Sequence, residues 1–213
     1  MFIGHYAAAL AIRRRTPGLN LGVLFVAVQL VDLAFFTFVL LGIERLRIVP
    51  GFTETNPYDL HDMPYTHSLV VTPLWGLVAG VVWRLAGGRY AMWVGLAVAS
   101  HFLLDVPMHI PDLPVLFGDG PKIGLGLWNS WVGATLLEGG LFAAAAVLYL
   151  TRPDRVAPIA RATWILLAVM GVLALSTAFF PVPANTAELA AQSLSAYALL
   201  AIAAWRIDRP VTA

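Results

Sequence analysis

Long apolar stretches recur along the chain, and each ends near a short group of polar residues, glycine or proline. A helix that crosses a bilayer needs about 20 mostly apolar residues. Six stretches meet this requirement, so the pattern predicts an all-α, polytopic membrane helix bundle with six transmembrane helices. These stretches are Leu19–Ile43, His67–Leu85, Tyr90–Ile110, Leu127–Leu150, Ile159–Phe180 and Glu188–Ile207.

The segment Phe2–Ile12 is also apolar but is too short to span a bilayer. It predicts a short N-terminal helix, which either lies at the membrane surface or dips into the bilayer from the cytoplasmic side. At about 1.5 Å per residue, a dipping helix would place His5 roughly 12 Å from the basic cluster Arg13–Arg15.

Composition supports the membrane class. The 213 residues are 60% hydrophobic and only 12% charged, whereas a soluble domain has about 25% charged residues. We expect one transmembrane domain over residues 1–213, with a functional site within 1–130 and two structural spans within 151–213. The net charge of +1 gives no reason to expect nucleic acid as a partner. Because cysteine is absent, any metal ligands must be His, Asp, Glu or Asn.

The positive charges predict the orientation. Ten of the 13 Lys and Arg residues fall on one set of helix ends, and three fall on the other. Positive charge collects on the cytoplasmic side, which predicts a multi-pass protein of the inner cell membrane with both termini in the cytoplasm. The three residues on the outer side are Arg45, Arg47 and Lys122.

Ionisable residues inside the predicted spans carry the candidate chemistry. His101 and Asp105 are four residues apart and therefore share one helix face. Such residues are costly in lipid and normally face the protein interior or a cavity. The helical rise places Asp32, like the His101–Asp105 pair, about 20 Å from the cytoplasmic side, and His67 begins its span at the outer end. The sequence therefore predicts that these four side chains meet in the outer half of the bilayer.

The segment His61–Ser68 forms a second polar group before the second predicted span. We expect Thr66 to act as the N-cap of that helix, which would put His67 in its first turn. Backbone N–H groups there favour an anion such as phosphate. His61 lies in the preceding loop.

Each candidate also has a purely structural interpretation. Asp32 could be a lone buried carboxyl group, and His101 and Asp105 could be a hydrogen-bonded pair. His61 could be a solvated loop residue. His109 could simply end the third span, beside two prolines, together with Asp112. Glu138, which precedes two glycines, could serve close helix packing and form a hydrogen bond.

The same residues resemble a known family. An early His5, the segment Gln29–Asp32, the Pro-Tyr-Thr-His-Ser segment Pro64–Ser68 and the Ser-His-x-x-x-Asp segment Ser100–Asp105 are similar to motifs of the predicted membrane-bound metal-dependent hydrolases. That family is regarded as a transmembrane relative of zinc phospholipase C and P1-type nucleases. The resemblance covers roughly Met1–Ser130.

The chain departs from the family pattern at the first carboxylate. The family often has Pro-Asp-x-Asp there, whereas this chain has Leu30-Val31-Asp32-Leu33, so one of two expected acids is missing. The resemblance therefore leaves open a mononuclear site or one completed by His109, Asp112 or Glu138. It implies a divalent metal, with zinc expected, held by His5, Asp32, His67, His101 and Asp105.

The resulting hypothesis is a metal-dependent hydrolase that acts on a phosphoester or lipid-like substrate at the outer leaflet. Asp105 or Asp32 would be a ligand or general base, and His61 or His109 would protonate the leaving group. Lys122 would attract an anionic head group. Membrane lipids are the expected partners. Two other hypotheses stay open: a transporter that uses intramembrane His and Asp, and a non-catalytic membrane protein.

Overall fold

A computed structural model describes residues 1–117, 120–154, 161–176 and 181–208. The described part is mostly helical, which confirms the predicted all-α class. Its helices are α1 (Ile3–Arg13), α2 (Leu21–Val28), α3 (Leu30–Leu40), α4 (Val71–Leu85), α5 (Ala91–Met108), α6 (Trp131–Leu150), α7 (Arg161–Ser176) and α8 (Thr186–Ile207).

The prediction of six spanning helices is not confirmed. Three helices, α5, α6 and α8, are long and apolar enough to cross a membrane. The predicted first span is broken into α2 and α3, which meet at a 51° bend and would count as a fourth span if taken together. Helices α4 and α7 are apolar but shorter. The ends of the predicted fifth span, Ile159–Phe180, lie outside the described residues.

Helix α1 lies inside the bundle rather than at its surface. It packs mainly against α6, α2 and α5, and its side chains Tyr6 and Leu10 are fully buried. Alanine and glycine occupy much of the remaining sequence of α1, which allows these close contacts. The outer faces of the bundle expose large apolar side chains such as Leu85, Leu103 and Leu136.

Helices α4 and α5 approach each other through glycine. A Cβ atom built on Gly76 would lie 2.6 Å from the Gly95 carbonyl oxygen, and one built on Gly95 would lie 2.8 Å from the Gly76 carbonyl oxygen. Gly80 is similarly close to Ala91. This backbone contact fixes α5, which carries His101 and Asp105, against α4.

The two long loops contain short strands that the sequence patterns did not predict. Strands β1 (Arg45–Ile48) and β2 (Tyr58–Asp62) form one antiparallel pair, and β3 (Leu113–Pro114) and β4 (Lys122–Ile123) form another. Buried Met63 and Leu113 belong to the same apolar cluster as Phe35 of α3. The loops therefore cover one end of the helix bundle.

A buried ionic network joins the ends of several helices near the C-terminal end of α1. Arg13 is 1% exposed, and its Nε donates to Asp208 Oδ2 at 2.6 Å while its Nη1 donates to Asp154 at 2.8 Å. Asp208 also accepts hydrogen bonds from the Leu21 backbone N–H and the Tyr149 hydroxyl. One carboxylate thereby joins α1, α2, α6 and α8.

Candidate metal centre

The structure brings the four intramembrane candidates and two further histidines into one cluster. Asp32 lies in the first turn of α3, His101 and Asp105 lie on α5, and His67 lies in the turn before α4. Asp32 has 13% of its side chain exposed, and the other cluster side chains are at most 4% exposed. The members of the cluster are His5, Asp32, His67, His101, Asp105 and His109.

The break between α2 and α3 supplies part of the site. Regular helix hydrogen bonding is interrupted at Gln29, so the Val28 carbonyl oxygen is available to another donor. The Nδ1 of His101 lies 2.8 Å from that oxygen. Since a carbonyl can only accept, Nδ1 of His101 carries the proton and its Nε2 faces the cluster.

His67 is oriented by a neighbouring hydroxyl group. Its Nδ1 lies 2.9 Å from Thr66 Oγ1, and that hydroxyl is 2.7 Å from Glu44 Oε2. The prediction that Thr66 caps the following helix is wrong. Helix α4 begins only at Val71, and Ser68 Oγ accepts the Val71 N–H.

His109 is held in a similar way. Its Nδ1 lies 2.8 Å from Asp112 Oδ1, and its ring packs on Trp128 with ring centroids 4.0 Å apart. Helix α5 continues through Pro107 and ends at Met108, so His109 is the residue that follows the helix. The pair His109–Asp112 therefore does more than end the span, because His109 Nε2 lies 3.6 Å from Asp105 Oδ1.

The Nε2 atoms of the histidines converge on two carboxylates. Asp105 Oδ2 lies 3.1 Å from His101 Nε2, and Asp105 Oδ1 lies 3.2 Å from His5 Nε2. Asp32 Oδ1 lies 3.2 Å from His67 Nε2 and 3.5 Å from His101 Nε2. The rings of His5 and His101 are stacked, with centroids 3.7 Å apart.

Two overlapping triads have the spacing that a metal ion needs. The ligand atoms of His5, His101 and Asp105 lie within 4.8 Å of one another, and so do those of Asp32, His67 and His101. His101 Nε2, Asp105 Oδ2 and both ring nitrogens of His5 are buried without a hydrogen-bond partner. Buried polar atoms rarely stay unsatisfied, so these donor sets fit a divalent cation and could hold one.

Burial acts on the Glu44 carboxyl group, which lies in the loop beside the cluster and contacts Thr66. Burial raises the pKa of Glu44 to about 7, against the hydrogen bonds that it accepts from Thr66.

The cluster has contributors beyond the predicted metal ligands. The Tyr197 hydroxyl, on α8, donates to Asp32 Oδ2 at 3.0 Å. The Met1 amine lies 3.0 Å from Asp105 Oδ1. Glu138 of α6 accepts the backbone N–H groups of Phe2 and Gly4 at 3.0 and 3.4 Å, which anchors the start of α1 and so positions His5.

Other candidates lie apart from the cluster. His61 is on β2, has 29% of its side chain exposed and pairs with Asp59. Lys122 donates to the His61 carbonyl oxygen at 2.8 Å.

A Cβ atom added to Gly139 or Gly140, after Glu138, would meet no atom of the described chain within 4 Å. Of the structural interpretation of Glu138, the hydrogen bonding is confirmed, whereas close packing at these two glycines is not seen within the described chain.

Comparison with known proteins adds no relative. No protein-family model matches the chain, and neither a curated protein nor a solved structure matches it. The geometry of the cluster and the sequence motifs are therefore the basis for assigning a function.

Proposed function

We propose that the chain is a metal-dependent hydrolase of the inner cell membrane, with both termini in the cytoplasm and the His/Asp cluster in the outer half of the bilayer. The resemblance of its motifs to membrane-bound metal-dependent hydrolases supports this assignment. The substrate would be a phosphoester or a lipid-like molecule of the outer leaflet.

One observation carries the proposal. In His67, His101 and His109, Nδ1 is held by an oxygen atom, and Nε2 is aimed at the carboxylates of Asp32 and Asp105. Metal-ligating histidines normally have their second ring nitrogen held in this way. Without a metal ion, the Met1 ammonium group and protons on some of these Nε2 atoms would balance the carboxylates, and a divalent cation would displace such protons.

The donor set suits zinc. Imidazole and carboxylate are common zinc ligands, and His5, Asp32, His67, His101 and Asp105 would hold the ion. When bound, Zn²⁺ lowers the pKa of a coordinated water and polarises the substrate oxygen. Asp32 is the most exposed member of the cluster, so we place substrate entry on its side.

The protein groups would supply orientation and proton transfer. Asp105 faces both triads and would act as ligand or base, while Asp32 is held by the Tyr197 hydroxyl. His109 is held by Asp112 at Nδ1, and its Nε2 lies 3.6 Å from Asp105, so it would hold a proton and give it to the leaving group. His61 lies apart from the cluster and takes no part in this arrangement.

Metal content tests the proposal directly. The protein purified in detergent is dialysed against zinc, washed and analysed by mass spectrometry for metal per chain. We expect bound zinc in the wild type and at least about a tenfold loss of affinity in a His67→Ala/His101→Ala variant. His61→Ala is the matched control and should keep the metal. Absence of bound zinc, manganese and iron in the wild type would sink the proposal.

Hydrolysis is tested separately. Zinc-loaded protein is incubated with p-nitrophenyl phosphate and, in a second assay, with phosphatidylcholine vesicles. Activity in either assay that is lost in Asp105→Asn and kept in His61→Ala supports a hydrolase.

The near-complete burial of the cluster supports a second candidate. Structural metal sites are closed, whereas catalytic sites keep an open position, and five of the six cluster side chains are at most 4% exposed. A non-catalytic membrane protein with a structural metal would be stabilised by zinc but would show no hydrolysis in either assay.

A further inference from the structure

The carboxylate of Glu44 is buried beside the cluster without touching a predicted metal ligand. Glu44 is 1% exposed and lies just before β1. Its Oε1 accepts the backbone N–H groups of Tyr65 and Thr66 at 2.8 and 3.0 Å, and its Oε2 accepts the Thr66 hydroxyl at 2.7 Å. Burying a carboxyl group is costly, which calls for a reason beyond the turn itself.

The hydrogen bonds from Glu44 to His67 have a defined direction. An ionised carboxylate only accepts hydrogen bonds, so above the Glu44 pKa of about 7, and hence in measurements made at pH 8, Thr66 donates the hydrogen bond to Glu44 with its single hydroxyl proton. The hydroxyl oxygen can then only accept from His67, whose Nδ1 lies 2.9 Å away. His67 is thereby kept with its proton on Nδ1, and the lone pair on Nε2 is available 3.2 Å from Asp32.

We propose that Glu44 and Thr66 are positioning residues that set the tautomer of His67 and so make its Nε2 a metal ligand. The inference rests on the metal site of the proposed function and adds residues outside it. Glu44 lies between α3 and β1, 23 positions before His67 in the sequence. Neither composition nor a sequence motif indicates a role for it.

Replacing Glu44 by glutamine would reverse this chain of hydrogen bonds. The two backbone N–H groups require an acceptor, so the amide oxygen takes the place of Oε1 and the amide nitrogen takes the place of Oε2. The amide N–H then donates to Thr66 Oγ1, and Thr66 must donate to His67 Nδ1. His67 would carry its proton on Nε2, where it cannot bind a metal.

The test compares metal affinity in four variants of the full chain in detergent. Zn²⁺ and Co²⁺ affinities are measured by chelator competition, and the Co²⁺ visible spectrum reports the ligand set. We expect Glu44→Gln and Thr66→Val to weaken affinity by about 10- to 100-fold, and Thr66→Ser to restore it to within about threefold of the wild type. Glu54→Gln makes the same chemical change at an exposed loop carboxylate that accepts the Trp131 N–H, and should leave affinity and spectrum unchanged.

The outcomes separate the two proposals. If the wild type binds no metal, the proposed function fails. If the wild type binds metal and Glu44→Gln binds it equally well, the role of Glu44 and Thr66 is overturned while the metal site stands. If Glu44→Gln does not fold, the ¹⁵N chemical shifts of His67 in the metal-free wild type decide. A proton on Nδ1 supports the inference, and a His67 ring with a proton on Nε2 and none on Nδ1 overturns it.

Discussion

At the scale of single residues, Asp105 is the carboxylate on which the cluster depends most. Its Oδ1 faces His5 and its Oδ2 faces His101, so Asp105 belongs to the triad with these two histidines. It also contacts the second triad, because His101 is a member of both. Asp105→Asn should therefore reduce bound zinc to less than about a tenth of the wild-type value. Asp112→Asn is the matched control, because the Asp112 side chain contacts His109, which is outside the predicted ligand set, and this variant should keep most of the bound zinc. Equal retention in both variants would contradict this ranking.

Glu44 also predicts a pH dependence of stability. Burial raises its pKa from 4.5 to about 7, so the folded protein binds this proton more tightly than the unfolded chain does. Between about pH 4.5 and 7 the folded state holds more protons, and stability falls as pH rises through that range. Melting temperatures of the chelator-treated wild type should drop by roughly 5–10 °C from this group. Glu44→Gln should lack that component, and an identical pH profile in both proteins would contradict the prediction.

At the scale of elements, the contact between α4 and α5 depends on glycine. Gly76→Ala would force its new methyl group against the Gly95 carbonyl oxygen and Ala99, so we expect a lower melting temperature by roughly 3–6 °C. Gly140→Ala is the opposite case. Its Cβ meets no described atom within 4 Å, and alanine favours helix over glycine by about 1 kcal/mol. The melting temperature of Gly140→Ala should equal or exceed that of the wild type.

The elements also show which parts of the site could be predicted from sequence. The spacing of His101 and Asp105 places them on one helix face. Because the helix is otherwise apolar, their side chains are expected to face the protein interior rather than lipid. The break at Gln29 has no such signal, because neither glycine nor proline occurs there and its free carbonyl is taken by His101, 73 positions away. Tyr197 reaches Asp32 from 165 positions away. Contacts of that range depend on packing rather than on local pattern.

At the scale of the whole molecule, the polar interior is divided between two centres on the same helices. Helix α1 carries His5 and Arg13, which lie about 12 Å apart along the axis. Tyr197 of α8 and Asp208, the residue that follows α8, are about 16 Å apart. The cluster at the loop-covered end brings carboxylates to imidazoles, and both ring nitrogens of His5 and the Nε2 of His101 have no hydrogen-bond partner there. The network at the other end pairs Arg13 with two carboxylates, and its Nε and Nη1 atoms donate hydrogen bonds. We infer that the first centre serves chemistry and the second serves stability.

Asp208→Asn tests this division of roles. The substitution leaves buried Arg13 with Asp154 as its one remaining full countercharge, and breaking a buried ion pair costs about 3–5 kcal/mol. We expect the melting temperature of the chelator-treated protein to fall by roughly 5 °C or more, while zinc per chain stays at the wild-type level below that temperature. Asp105→Asn should show the opposite pattern, with zinc lost and the chelator-treated melting temperature less affected. If Asp208→Asn loses as much zinc as Asp105→Asn, the division of roles is contradicted. The helices that the two centres share would then transmit the disturbance from one centre to the other.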